Sequence, residues 1–133
     1  MWCFYGFSDE ACNLGSMSWL LVFLGGGLGS VARFGISWLI LKNYEGHLPL
    51  ATFISNLLAC FLLAIVVTNS FEPFDNRVLK YAVLVGFCGG FSTFSTFSFE
   101  TIELIKNGNH LVAVGNVIVS VAVCLILLYK LTK

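Results

Sequence analysis

The sequence predicts an all-α integral membrane protein with four transmembrane helices, the third of them broken. Of its 133 residues, 58% are hydrophobic and 11% are charged, against about 25% charged residues in an ordinary soluble domain. A transmembrane helix needs roughly 20 mostly apolar residues to cross about 30 Å of hydrocarbon. Four stretches meet or approach that length: residues 17–41, 48–67, 78–105 and 111–129.

These stretches leave little chain for a soluble domain. We expect residues 17–133 to form one membrane domain, preceded by a short tail at residues 1–16. The tail contains Asp9 and Glu10 but no Lys or Arg, and so lacks the basic region of a secretory signal. The four apolar stretches predict membrane lipid as the surroundings. The formal net charge is zero, which indicates no polybasic patch for lipid headgroups or for nucleic acid.

The first span combines a glycine-rich face with a buried charge. Gly25 and Gly29 lie four residues apart, so they share a helix face and allow another backbone to approach closely. Arg33 falls well inside the span, where a charge costs about 2.5–3.5 kcal/mol on insertion scales. We expect Arg33 to face a partner or a wet cavity, with snorkelling to the membrane interface as the alternative.

The second and fourth spans each contain polar residues. Thr52 and Asn56 lie on the second span, and the Asn56 amide must find partners for two donor hydrogens and one acceptor oxygen. Either interhelical contact or pore lining would satisfy it. Asn116, Ser120 and Cys124 recur at steps of four on the fourth span, which places them on one helix face.

The third span contains the unusual stretch GFCGGFSTFSTFSFE at residues 86–100. Its phenylalanines recur every third residue, a period typical of neither an α-helix nor a strand. Glycine costs about 1 kcal/mol relative to alanine inside a helix. We predict a helix to about Cys88, a break from Gly89 to Thr93, and a second helix from about Ser95 to Asn107. A break at the membrane midplane frees carbonyls for a cation and a helix N-terminus for an anion.

The chemistry of these spans suits a small anion. Phe94 and Phe97 project from roughly the same helix face, and the edge of a phenyl ring is electropositive. Ring edges would stabilise an anion weakly enough for it to leave again; ordinary aromatic packing is the alternative interpretation. No carboxylate cluster lies in mid-span, which argues against a cation or proton relay. The candidate hydrogen-bond donors are Thr52, Asn56, Thr93, Ser95, Thr96, Asn116 and Ser120.

The remaining reactive side chains predict no metal site. The five cysteines, at positions 3, 12, 60, 88 and 124, form no CxxC pair and no metal-ligand spacing. Free cysteine behaves as a small buried hydrophobe, so we interpret them as reduced packing residues. His47 and His110 fall at span edges, where we expect them to be exposed.

The charge bias across the membrane is weak. With four spans, both chain ends lie on one side, which carries four cations against two on the other. The positive-inside rule therefore permits one orientation or insertion both ways round. The first group is Arg77, Lys80, Lys130 and Lys133, and the second is Lys42 and Lys106.

Three segments, GGGLGSVARF, TFISNLLACFLL and GFCGGFSTFSTFSFE, resemble the signature regions of the CrcB/Fluc family of fluoride channels in order and spacing. The resemblance covers about residues 20–129. It implies four spans per subunit in the cell (plasma) membrane and an antiparallel, dual-topology homodimer with two pores. A heterodimer with a paralogue is the family's other form. The resemblance also implies a structural Na⁺ at the dimer centre.

The resemblance also implies roles for individual residues. Backbone carbonyls of Gly89 and Ser92 would hold Na⁺, Phe94 and Phe97 would line the path of fluoride, and Arg33 would lie near the aqueous vestibule. The other residues of the anion pathway that the resemblance implies would be Thr52, Asn56, Ser95, Thr96, Glu100 and Ser120. The donor chemistry of the residues themselves adds Thr93 and Asn116 to the predicted pathway.

This chain departs from the family pattern at a few positions. Ser92 stands where threonine is usual, a change that preserves a carbonyl ligand. Asn116 stands where the fourth span often has an aromatic hydroxyl, and Cys124 where another small or polar residue is common. Ala59 and Cys60 replace a Gly–Ser pair.

The expected function is therefore passive, fluoride-selective conduction that exports cytoplasmic fluoride and lowers its toxicity, and not an enzymatic activity. Three alternatives remain. A small multidrug-type proton-coupled exporter would need a glutamate in the first span, which contains Arg33 instead. A non-conducting assembly subunit would gain nothing from buried hydroxyls. A proton-coupled fluoride carrier would use Glu100.

Overall fold

The computed structural model describes residues 16–43, 49–68 and 82–133. The predictions for residues 1–15, His47, Arg77 and Lys80 concern residues outside these ranges. All regular structure in the described residues is helical. The elements are α1 (Ser16–Asn43), α2 (Leu50–Thr68), a π-helix (Ala82–Cys88), α3 (Gly89–Phe91), α4 (Phe94–Lys106) and α5 (His110–Leu131).

Four helical stretches are long and apolar enough to cross a bilayer, as the sequence predicts. Three of them are α1, α2 and α5. The fourth, Ala82–Lys106, is called the third span below and comprises the π-helix, α3 and α4. Within the described residues, the prediction of an all-helical protein with four membrane-capable helices is confirmed.

The third span departs from the predicted backbone. Gly89–Phe91 forms a turn of α-helix, so the prediction that its glycines are non-helical is wrong. Only Ser92 (φ −78°, ψ 154°) and Thr93 (φ −149°, ψ 116°) have extended dihedrals. Helix resumes at Phe94, one residue before the predicted start. We call Ser92–Thr93 the extended step.

Glycines hold α1 against the third span by backbone contact. A Cβ built at Gly29 would collide with the Phe87 carbonyl, and one built at Gly86 would lie 2.7 Å from the Val22 carbonyl oxygen. A Cβ at Gly90 would collide with the carbonyl of Gly26. This close approach offsets the poor helix propensity of glycine, which explains why Gly89–Phe91 stays helical.

Small residues make up much of the core, which also contains Phe91 and Leu104, and many large apolar residues face outward. Ala59, Ala64, Ala82 and Ala113 are buried, whereas Trp19 is 78% exposed. Lipid gives no hydrophobic driving force between helices, so packing of small residues at the interface is what brings helices together.

Helix α5, which forms the fourth span, packs against both α2 and α4. A tight turn joins α4 to α5: Gly108 has a φ of 79°, and the Asn109 amide donates to the Leu104 carbonyl over 2.9 Å. A left-handed residue of this kind is a common end to an α-helix. The turn positions the polar face of α5 beside α2 and α4, where the candidate site lies.

Candidate functional site

Asn56 of α2 binds the backbone of the extended step with both ends of its amide. The Thr93 amide donates to Asn56 Oδ1 over 2.8 Å, and Asn56 Nδ2 donates to the Thr93 carbonyl over 3.3 Å. The N–H and the C=O of Thr93, which the break in the helix leaves without helical partners, are thereby both paired, as backbone polar groups shielded from water need to be. One of the two Nδ2 hydrogens is used in this pair. Interhelical contact and cavity lining are therefore both open to this residue.

Thr93 also caps the N-terminus of α4. Its hydroxyl accepts from the Thr96 amide over 3.2 Å and donates to Thr96 Oγ1 over 3.0 Å. It also lies 3.2 Å from Ser95 Oγ. Because the Thr93 hydroxyl has one hydrogen, which goes to Thr96, Ser95 acts as a donor to Thr93. The hydroxyls of this capping cluster are thus largely turned toward one another.

The extended step changes the partners of two backbone amides. In a continuous α-helix, the amides of Thr93 and Thr96 would donate to the carbonyls of Gly89 and Ser92. Here they donate to Asn56 Oδ1 and Thr93 Oγ1 instead. The carbonyl oxygens of Gly89 and Ser92 therefore do not accept from these two amides. Gly89 is also exposed. Carbonyl oxygens suit a hard cation, so Gly89 and Ser92 fit the Na⁺ ligands that the resemblance implies.

A cleft of about 310 Å³, called cleft A, lies between α2, the third span and α5. The rings of Phe94 and Phe97 lie in it with centroids 6.0 Å apart and planes tilted by 37°. Phe94 is 80% exposed. None of the described residues that line the cleft carries a charge. The lining residues are Asn56, Cys60, Ser92, Thr93, Phe94, Phe97, Ser120, Val121, Cys124 and Leu125.

A second cleft, cleft B, has a volume of about 340 Å³ and lies between α2 and α5. It is lined by Asn116 and Ser120 among apolar residues, and Ser120 lines both clefts. Ser120 Oγ donates to Asn116 Oδ1 over 3.3 Å, and Asn116 Nδ2 donates to Thr101 Oγ1 over 3.4 Å. The polar face predicted for the fourth span therefore runs from one cleft to the other.

Thr52 and Glu100 form a separate buried pair. Thr52 Oγ1 donates to Glu100 Oε1 over 2.8 Å. Glu100 Oε2 is buried without a hydrogen-bond partner among the described residues. The same holds for Arg33 Nε, which lies on α1. None of these three residues lines cleft A or cleft B.

The structure thus brings together only part of the residue set predicted from the sequence. Cleft A unites the extended step, the two phenyl rings, Asn56 and Ser120. Ser95 and Thr96 adjoin it through the capping cluster, whereas Arg33 and Gly89 lie elsewhere.

Sequence reasoning did not identify Cys60 as a lining residue of cleft A. Its position four residues after Asn56 is the signal that would have found it.

Most of the hydroxyls predicted to face an ion donate to protein acceptors. Thr52 donates to Glu100, Thr93 to Thr96, and Ser120 to Asn116. In an apolar environment an unpaired hydroxyl is costly, which favours these internal acceptors.

Comparison with known proteins identifies the relatives of this chain. A protein of Coxiella burnetii (strain CbuK_Q154) is 40% identical over 111 residues, which cover 82% of this chain and 90% of the relative. A protein of Azobacteroides pseudotrichonymphae genomovar. CFP2 is 47% identical over 92 residues, covering 68% and 73% respectively. Both relatives are named "Fluoride-specific ion channel FluC".

A third relative with that name, from Gloeothece citriformis (strain PCC 7424), is 40% identical over 101 residues, or 76% of this chain and 82% of its own length. The family described as "CrcB-like protein, Camphor Resistance (CrcB)" matches residues 20–130. That match includes all four membrane-capable helices almost completely. The chain therefore belongs to the CrcB family.

Proposed function

We propose that this protein is a passive, fluoride-selective ion channel that exports cytoplasmic fluoride across the cell (plasma) membrane and so lowers its toxicity. Fluoride enters acidified cells as neutral HF and ionises inside. An inside-negative potential then drives the anion out by about 2.3 kcal/mol per charge per 100 mV. Such a function requires a conducting path and no enzymatic activity.

The observation that carries the proposal is that several neutral polar groups lie in the otherwise apolar wall of cleft A, and none of its described lining residues is charged. Its ion-binding groups are the Asn56 amide, the hydroxyls of Ser92, Thr93 and Ser120, and the edges of two phenyl rings. A fixed cation in this position would hold fluoride tightly. Neutral donors and ring edges bind an anion weakly enough for it to move on, as conduction requires.

Hydrogen-bond donors of the protein would replace the water molecules around fluoride, some of them by giving up a present acceptor for the ion. Asn56 uses one Nδ2 hydrogen to bind Thr93, which leaves the second to donate to an anion in cleft A. Ser120 lies between the two clefts and donates to Asn116. Rotation of its hydroxyl from Asn116 to a passing ion would exchange one hydrogen bond for another, at little net cost.

We further propose that two copies assemble as an antiparallel, dual-topology homodimer, with a heterodimer as the alternative. Phe94 is 80% exposed and Gly89 is exposed in the single chain. A second copy would complete both surfaces. In that assembly the carbonyls of Gly89 and Ser92 from each copy would hold Na⁺, which would supply the positive charge that keeps these carbonyls together.

Two other transport mechanisms are alternatives to a passive channel. A proton-coupled fluoride carrier is favoured by Glu100, whose Oε2 is buried without a partner among the described residues. A small multidrug-type exporter is disfavoured because α1 contains no acidic residue.

Fluoride efflux from liposomes that contain the purified protein tests the proposal. We expect rapid fluoride efflux, chloride efflux no faster than from empty liposomes, and no fluoride accumulation when a pH gradient is imposed at zero membrane potential. Equal chloride and fluoride rates would contradict the selectivity. Accumulation driven by the pH gradient would identify a proton-coupled carrier instead.

A further inference from the structure

Two cysteines face cleft A from the two helices that form one side of it. Cys60 lies on α2 and Cys124 lies on α5. Both are free thiols, both are only partly buried, and both line cleft A. The fold therefore brings two residues that lie 64 positions apart in the chain to one cleft, which the spacing of the cysteines does not reveal.

The position of this pair follows from helical periodicity. Cys60 lies one turn beyond Asn56 on α2, and Cys124 lies one turn beyond Ser120 on α5. Residues four apart share a helix face, so the two thiols extend the polar face that already includes Asn56 and Ser120. A ligand bound between the thiols would share cleft A with the phenyl rings.

We propose that Cys60 and Cys124 form a binding site for a soft monovalent cation of the Cu⁺ and Ag⁺ class, and that the bound ion obstructs cleft A. Soft cations of this class select thiolate ligands and are satisfied by two of them in a linear arrangement. Each thiol releases its proton to solvent as its S–metal bond forms, and no atom changes oxidation state. Because two protons leave, binding strengthens as the pH rises.

The third described cysteine provides a control. Cys88, on the π-helix, is buried and does not line cleft A. A variant with Cys3→Ser, Cys12→Ser and Cys88→Ser keeps the proposed pair as its only thiols. We call it the pair variant. Adding Cys60→Ser or Cys124→Ser to it leaves one thiol, and Cys60→Ala is a second choice if the serine variant does not fold.

Ag⁺ binding to these full-length variants, measured calorimetrically in chloride-free nitrate buffer, tests the site without reference to transport. We expect the pair variant to bind one Ag⁺ per chain, protecting both thiols from alkylation as read by mass spectrometry. Each one-thiol variant should bind Ag⁺ at least about tenfold more weakly, because a metal ligand has been removed. Protection of one thiol per ion, or equal affinity in the one-thiol variants, would overturn the proposal.

Fluoride efflux then tests the obstruction. Ag⁺ at a concentration that saturates the pair variant should slow its efflux, while the one-thiol variants should conduct at the same Ag⁺ concentration. Unchanged efflux in the saturated pair variant would show that the bound ion does not obstruct the path. Absence of efflux in all variants before Ag⁺ is added would count against the channel function and leave the measured metal site standing.

Discussion

At the scale of single residues, Phe94 and Phe97 provide the most direct test of the anion pathway. Their rings lie 6.0 Å apart in cleft A. Isoleucine keeps the apolar bulk but removes the electropositive ring edge. We expect Phe94→Ile and Phe97→Ile each to slow fluoride efflux from liposomes at least about tenfold, equivalent to about 1.4 kcal/mol.

The matched control is Phe99→Ile on the same helix. Phe99 is 63% exposed and does not line either cleft, so its substitution should leave the rate unchanged. Unaltered efflux in both the Phe94 and Phe97 variants would remove the phenyl rings from the pathway. A similar slowing in the Phe99 variant would indicate a general effect on the bilayer-embedded protein.

Asn56 is the residue on which the shape of the extended step depends. Asn56→Leu removes both hydrogen bonds to Thr93 and leaves a part-buried amide and carbonyl unpaired, at a cost of up to about 1–3 kcal/mol for each group. We expect a clearly lower thermal midpoint in detergent together with loss of fluoride efflux.

Asn43→Leu makes the same chemical change at the exposed end of α1, where, among the described residues, the side chain donates to the Leu39 carbonyl alone. That variant should melt close to the unaltered protein. Equal destabilisation of the two variants would mean that Asn56 contributes no more than a surface amide does.

Sequence reasoning at this scale identifies residues better than it identifies their partners. The buried amide of Asn56 had to find acceptors and donors, and this follows from its position in an apolar span. The sequence does not show that both partners are the backbone N–H and C=O of Thr93, because these groups belong to another span. The placement of Cys60 and Cys124 in one cleft escaped prediction for the same reason: the two residues lie on different helices, α2 and α5.

At the scale of helices, the backbone contact between α1 and the third span can be tested with a pair of glycines. A Cβ at Gly29 would collide with the Phe87 carbonyl, whereas one at Gly27 meets nothing within 4 Å. Gly29→Ala should therefore lower stability by roughly 1–3 kcal/mol through overpacking. Gly27→Ala should raise it by up to about 1 kcal/mol through helix propensity.

Thermal or denaturant unfolding in detergent, followed by circular dichroism, measures both variants. We expect the two changes in stability to have opposite signs, although both variants replace a glycine of α1 with alanine. Stabilisation by Gly29→Ala would mean that α1 and the third span are farther apart than this packing requires.

The number and approximate bounds of the helices could be predicted because each needs only a long apolar stretch. The backbone within the third span could not. Glycine propensity predicted a break at Gly89, but the contact of Gly90 with α1 keeps that turn helical. The π-helix at Ala82–Cys88 was also missed, because its wider turn has no hydrophobic period that distinguishes it from an α-helix. Such helices are frequent at functional sites.

At the scale of the whole molecule, the single chain leaves its candidate site open. Cleft A is walled by three spans, and the ring of Phe94 is largely exposed. In the proposed dimer, a second copy would cover this ring and the exposed Gly89. The extended step and the helical turn before it would then contribute to two tasks: Thr93 would line the anion path, while the carbonyls of Gly89 and Ser92 would face the partner.

The orientation of the two copies gives the last prediction. A difference of two cations between the two sides is too small a bias to fix one orientation, so we expect chains to insert both ways. Replacing all five cysteines with serine and adding Lys133→Cys places one thiol at the chain end. An impermeant maleimide applied to intact cells should label about half of the chains, and the rest only after permeabilisation. Complete or absent labelling in intact cells would show a fixed orientation, which an antiparallel homodimer cannot have and a heterodimer requires.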